Sequence, residues 1–223
     1  STETSAEFSS ADGRIEVRRR MQDRFDPPTI ASLVVGGETE TGPWKLTYSG
    51  SYSKASEKED GSVDPTRFRA RFSGTGANEV GVNFDYSDPR RPLFAVSGNT
   101  ALFNNTASYG FNELEITDLS DSQDREWMAR GDVAREFAMN DGTFTLQGGV
   151  KSRWRSKSYD LDALVYDGFN GTYNLGNVLA ASYNYRIQDL GPLPDKHAPS
   201  LFYYGNPDAF RLNEDDTIIN STS

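Results

Sequence analysis

Few residues in this chain of 223 have the types and spacing that chemistry needs. There is no cysteine and one histidine, His197. A thiolate metal site is therefore excluded, and a histidine-based zinc site or a Ser-His-Asp triad has a single candidate imidazole. His197 sits in Leu190-Gly-Pro-Leu-Pro-Asp-Lys-His-Ala-Pro199, which reads as a proline-rich exposed loop. Acidic clusters at Glu57-Lys-Glu-Asp60, at 118–124 and at Asn213-Glu-Asp-Asp216 have the oxygen donors that Ca²⁺ prefers. None has EF-hand spacing, so solvated loop charge is the expected role and no metal is assigned. Glycoside hydrolysis needs two carboxylates about 5–9.5 Å apart. The chain has 33 acidic residues and nothing selects a pair among them. No catalytic residue and no cofactor is assigned, and the expectation is a protein that is not an enzyme.

Binding chemistry has more to work with. Tyr183, Tyr185, Phe202, Tyr203, Tyr204 and Phe210 concentrate towards the C-terminal end, with Arg186 and Asp189 nearby. Flat aromatic faces beside planar hydrogen-bonding groups suit sugars and other small ligands. Tyr203, Tyr204, Phe202, Tyr183, Tyr185 and Arg186 are thus the candidate ligand-binding residues. The competing reading is a local mini-core that keeps a long loop compact. Arg18, Arg19 and Arg20 form the one tight basic run and are expected at solvated positions. With a net charge of −10, nucleic acid is not an expected partner.

Two segments dictate how such residues are positioned. Trp44-Lys-Leu-Thr-Tyr-Ser-Gly-Ser-Tyr52 alternates, with Trp44, Leu46, Tyr48, Gly50 and Tyr52 on one face and polar residues on the other. Phe144, Leu146, Gly148, Val150, Ser152 and Trp154 share a face in the same way, opposite Thr145, Gln147, Gly149, Lys151, Arg153 and Arg155. Period-2 alternation predicts strands that separate two environments. Either one face packs on a soluble core, or the strands cross a membrane with lipid outside and a polar lumen inside. No apolar run approaches the roughly 20 residues of a helical span, whereas a barrel strand needs only about 9–11. Hydrophobic residues are 35% of the chain, yet it carries 3 Trp, 11 Tyr and 13 Phe, which argues against disorder and fits aromatic girdles.

The punctuation predicts strands at about 13–41, 44–54, 125–139 and 143–165, the first bulged near Pro27. Glu40-Thr-Gly-Pro43 and Asn140-Asp-Gly142 supply the turns. The latter decides for a strand over a helix at 126–139. Long loops are expected at about 55–124 and 166–217, with short helices near 175–181 and 198–204. Antiparallel strands place both tight turns at one end and both long loops at the other, the layout of an outer-membrane barrel.

Trp44-Lys-Leu-Thr-Tyr-Ser-Gly-Ser-Tyr-Ser-Lys-Ala-Ser-Glu57, Gly148-Gly-Val-Lys-Ser-Arg-Trp-Arg-Ser-Lys-Ser-Tyr-Asp160 and Asp189-Leu-Gly-Pro-Leu-Pro194 resemble the barrel portion of proteobacterial TonB-dependent outer-membrane receptors. The resemblance covers most of the chain. It implies an all-β, antiparallel transmembrane barrel segment with long extracellular loops, part of a barrel of about 22 strands closed by a plug. The plug, the TonB box and the terminal aromatic strand have no counterpart among residues 1–223, which points to an internal segment. The implied function is TonB-energised uptake of a scarce nutrient across the bacterial outer membrane. The implied partners are a small-molecule, oligosaccharide or chelate ligand, outer-membrane lipid, and the TonB complex through parts outside this chain. Trp44, Leu46, Tyr48, Leu146 and Val150 would face lipid, and Lys151, Arg153 and Arg155 the lumen. The alternatives are a soluble secreted β-sandwich that binds carbohydrate and, third, a β-rich glycoside hydrolase. A sandwich buries Leu46, Tyr48, Leu146 and Val150, whereas a barrel exposes them.

Overall fold

The structure, a computed structural model, describes residues 4–182 and 187–222. The chain is mostly antiparallel β. In order it contains β1 (Ser5–Ser9), β2 (Ile15–Asp23), β3 (Pro28–Thr41), β4 (Trp44–Phe72), β5 (Val80–Asp85), β6 (Leu93–Gly98), α1 (Thr100–Asn104), β7 (Gly110–Met139), β8 (Gly142–Phe169), α2 (Ala198–Gly205), β9 (Phe210–Leu212) and β10 (Ile218–Thr222). One sheet runs β1-β5-β6. The larger runs β10-β8-β7-β4-β2, with β3 also on β4 and β9 also on β8. Among the described residues this larger sheet does not close on itself.

Two compact units divide the chain. Unit one comprises 1–24, 61–118 and 163–219, and unit two comprises 25–60, 119–162 and 220–223. β4, β7 and β8 are 29, 30 and 28 residues long and contribute to both.

Unit two holds the two hairpins. β3 pairs with β4 without a break from Pro28↔Glu57 to Thr41↔Trp44, leaving Gly42 and Pro43 as the turn. Gly42 has φ 55°, while proline fixes a negative φ. A positive φ at the first central position alone is the type II′ pattern, whose twist matches the flanking strands. β7 and β8 join through Asn140 and Asp141. The Glu136 N–H donates to the Pro43 carbonyl at 2.8 Å, which brings the first turn against the second hairpin.

Unit one has the core. The even residues Thr66, Phe68, Ala70 and Phe72 of β4 point inward and meet Leu114 and Ile116 of β7, with Val80, Val82, Phe103, Tyr109, Tyr173, Leu175, Tyr203 and Phe210. Arg67, Arg69 and Arg71 lie on the opposite side of β4. Arg67 pairs with Glu113, and the other two with Glu16 at 3.7 and 3.1 Å.

The strand limits differ from the sequence expectation in three places. β4 continues to Phe72 instead of ending near Lys54, and β7 begins at Gly110 instead of near Arg125. Polar side chains carry the inward face where loop was expected: Glu59, Ser62 and Thr66 are buried. Pro65, a strand breaker in sequence, lies opposite a register shift between Met21 and Asp23 of β2, so its missing N–H interrupts no regular ladder. The expected long first strand is two strands, β2 on residues 63–72 of β4 and β3 on residues 44–57, interrupted at residues 24–27, with Pro28 opening β3.

Candidate functional site

Unit two presents an apolar face that none of its described residues covers. Residues paired directly across a ladder share a face, so Leu33, Val35 and Gly37 of β3 join Tyr52, Gly50 and Tyr48 of β4. Leu46 and Tyr48 are 46% and 48% exposed, Leu146 and Val150 60% and 74%. Trp44, Trp127, Val133, Phe144 and Trp154 are exposed on the same face. Near the turns the face is aromatic. Phe137 and Phe144 lie 6.1 Å apart, and the Arg135 guanidinium sits 4.9 Å from the Trp44 ring centre and 4.8 Å from that of Phe137. Arg135 interrupts the apolar pattern in sequence. Its long stem follows the apolar surface while its charge rests on two ring faces.

The opposite face is polar and ion-paired. Lys45 contacts Glu38 at 2.6 Å and Glu40 at 3.2 Å. Arg153 pairs with Glu126 at 3.3 Å, Arg155 makes a two-oxygen contact with Asp124, and Lys157 lies 3.9 Å from the same carboxylate. Lys151 lies on this face of β8. Ile30 and Val34 are exposed here too, so β3 is apolar on both sides. Large apolar patches on both sides of one strand are unusual for a surface that meets only water.

The aromatic residues near the C-terminus resolve into packing. Phe202 stacks on Tyr173 with ring centres 4.0 Å apart and planes 1° from parallel. Tyr203 is buried, and its hydroxyl meets that of Tyr166 at 2.9 Å. Burial, then the hydrogen bond to Tyr166, push its phenol well above the usual range. Tyr203 is therefore part of the core of unit one, and Phe202 is partly buried against it. Each ring packs against other aromatic rings of the cluster, Phe202 on Tyr173 and Phe169, Tyr203 on Tyr166 and Phe210. Tyr204 is 55% exposed, with its hydroxyl donating to the Gly61 carbonyl at 2.6 Å. Among the described candidates it has the most exposed ring. Tyr183, Tyr185 and Arg186 lie outside the described residues.

His197, Ser200 and Asp23 come together without forming a triad. His197 Nδ1 is 3.0 Å from one Asp23 oxygen, and the Ser200 hydroxyl donates to the other at 2.7 Å. Serine activation needs its proton on the imidazole, whereas here both groups address the carboxylate. Burial pushes the Asp23 carboxyl up. Hydrogen bonds from Ser200 and His197 and the charges of His197 and Lys196 outweigh that, and it titrates below the ordinary range. The cluster is a clasp that fixes the start of α2 to the end of β2.

The basic run divides by strand alternation. Arg18 and Arg20 are exposed, as expected, but Arg19 is 7% exposed and points to the inward side with Ile15 and Val17. That arginine was missed in sequence because three consecutive arginines read as solvated charge. The period of two, applied to Ile15-Glu-Val-Arg-Arg19, is the signal that places it inside. Among the described residues no group of three or more His, Cys, Asp or Glu side chains converges as a metal site.

No protein-family model and no curated protein matches this chain.

Proposed function

We propose that the chain is a segment of a bacterial outer-membrane receptor of the TonB-dependent type, with the strands of unit two crossing the bilayer. The observation that carries the reading is the exposure of Leu46, Tyr48, Leu146 and Val150 on strands whose other face is ion-paired. Burying such side chains is worth about 1.5–3 kcal/mol each, so a soluble domain gains by covering them. Lipid covers them in a barrel, and the aromatic residues and Arg135 beside the turns suit the bilayer boundary.

Tight turns join β3 to β4 and β7 to β8, whereas 73–109 and 170–209 are long connections, and short turns alternating with large loops are what an outer-membrane barrel has. The open edge at β3 requires pairing, which further strands of a barrel would supply. Uptake of a scarce nutrient is the activity this arrangement serves. A sandwich that binds carbohydrate requires a second sheet over the same four residues.

The test is the state of the chain without lipid. A membrane segment yields aggregates in detergent-free buffer and a protected, β-rich species in phospholipid vesicles. A monodisperse monomer that unfolds cooperatively in buffer supports the sandwich instead.

A further inference from the structure

Arg19 lines a cavity of about 390 Å³ in unit one whose walls include Phe8, Val82, Phe84, Phe94 and Phe103. The register explains the walls. Phe8 pairs with Val82, and Phe84 with Phe94, so one face of the β1-β5-β6 sheet is continuously apolar. The inward residues of β2 and the side chain of Phe103 from α1 complete the lining.

The guanidinium is held firmly on one edge. Nη1 donates to the Leu190 carbonyl at 2.7 Å, and the carbon centre lies 5.2 Å from the Phe103 ring and 5.5 Å from that of Tyr109. Nε and Nη2 are buried and have no hydrogen-bond partner among the described residues. These two nitrogens share the other edge of the planar group, where their N–H bonds run parallel and match the two oxygens of a carboxylate. Gly191, with φ 75°, passes beside this edge, and a Cβ there would come within 3.1 Å of Nη2. The loop thus approaches without a side chain that would fill the fork. A buried donor pair without an acceptor is costly, and a ligand, an ion or ordered water meets such groups in a native fold.

We propose that this cavity binds a small ligand with one carboxylate on an aromatic or aliphatic body, the carboxylate held side-on by Nε and Nη2 of Arg19 and the body among the phenylalanines. The apolar walls favour a single negative charge over a phosphate dianion: Arg18, the other cation of the lining, is exposed and paired with Glu16 at 2.7 Å, which leaves Arg19 as the buried cation to offset desolvation. The proposal does not rest on membrane insertion, because every group it uses belongs to unit one.

Calorimetry on the full chain in detergent tests it with three probes: 3-phenylpropionate, its neutral counterpart 3-phenylpropan-1-ol, and phenethyl phosphate. The acid is expected to bind at least tenfold more tightly than either other probe. It is also expected to shift the Arg19 Nε–H signal in a spectrum of ¹⁵N-arginine-labelled protein, assigned by its loss in Arg19→Lys. Arg19→Lys keeps the charge but lacks the fork, and should lose at least tenfold for the acid with little change for the alcohol. Val82→Phe, which fills the cavity and keeps the fork, should weaken the acid and the alcohol together. Equal affinity for acid and alcohol, tighter binding of the phosphate, no saturable binding of the acid at millimolar concentration, or full affinity in a folded Arg19→Lys protein would each overturn the proposal. The comparison of probes on the unaltered protein decides the matter even if Arg19→Lys does not fold.

Discussion

The Tyr48 ring lies across Gly37: the two are direct partners in the β3–β4 ladder, and a Cβ on the glycine would sit 2.6 Å from the Tyr48 hydroxyl. A glycine weakens a strand, and an aromatic partner that covers it restores the lost contact. Gly37→Ala and Tyr48→Ala are each expected to destabilise the hairpin. In the Tyr48→Ala background the alanine has room, so Gly37→Ala costs less there, with a coupling of about 0.5–1 kcal/mol. A double-mutant cycle from unfolding in vesicles measures it. Strict additivity would show that the two do not interact.

Val150, 74% exposed and proposed to face lipid, gives a depth-dependent prediction. Val150→Arg should cost about 2–4 kcal/mol of folding free energy in a bilayer if the site is near the midplane, and Gln147→Arg on the ion-paired face much less. Denaturant titrations in vesicles of matched composition compare them.

Tyr203 and Tyr204 separate by burial. Tyr203→Ala removes a buried ring between Tyr166 and Phe210 and should cost unit one about 3–5 kcal/mol. Tyr203→Phe, which removes only the hydroxyl contact with Tyr166, should cost about 1 kcal/mol. Tyr204→Ala should stay near that smaller figure while removing the accessible ring. Near-ultraviolet circular dichroism during unfolding follows the aromatic cluster and ranks the three. Any uptake defect of a double alanine variant would mix a core defect with a contact defect, so Tyr204 is the informative position.

The strand pairing of unit two was legible in sequence because side-chain chemistry there follows position. Polar and apolar residues alternate from Trp44 to Tyr52 and from Phe144 to Arg155, and Gly42-Pro43 and Asn140-Asp141 mark the turns. The extension of β4 through Glu59 to Thr66 was not legible, since polar side chains such as Ser62 and Thr66, buried in the fold, look like loop in a linear reading. Arg19 was hidden for a related reason. Charge suggests solvent, and only its place between Val17 and Met21 on an inward face says otherwise. Tyr203 and Phe202 were legible as an aromatic cluster. Whether the cluster faced a ligand or itself depended on Tyr166, Phe169 and Tyr173, more than twenty residues earlier in the chain.

Asp23 supplies a pH dependence. Its carboxyl titrates below the ordinary range in the folded chain, so the clasp on His197 and Ser200 contributes stability above the unfolded value of about 3.9. That contribution is lost as pH falls through the depressed folded value. Amide exchange of the α2 segment, Ala198–Gly205, should accelerate below about pH 4 in the unaltered chain. Asp23→Asn should show faster exchange already at neutral pH and no further acid step from this site.

The central claim is that the apolar face of unit two meets lipid, and nitroxide scanning along β8 tests it most directly. Labels at positions 146 and 150 in vesicles should be relaxed strongly by oxygen and weakly by a water-soluble nickel chelate, with the reverse at 145 and 147. Alternation of this sign is what a strand between lipid and a polar lumen produces. Strong relaxation by the nickel chelate at all four positions, or protection from both reagents at 146 and 150, would contradict the account.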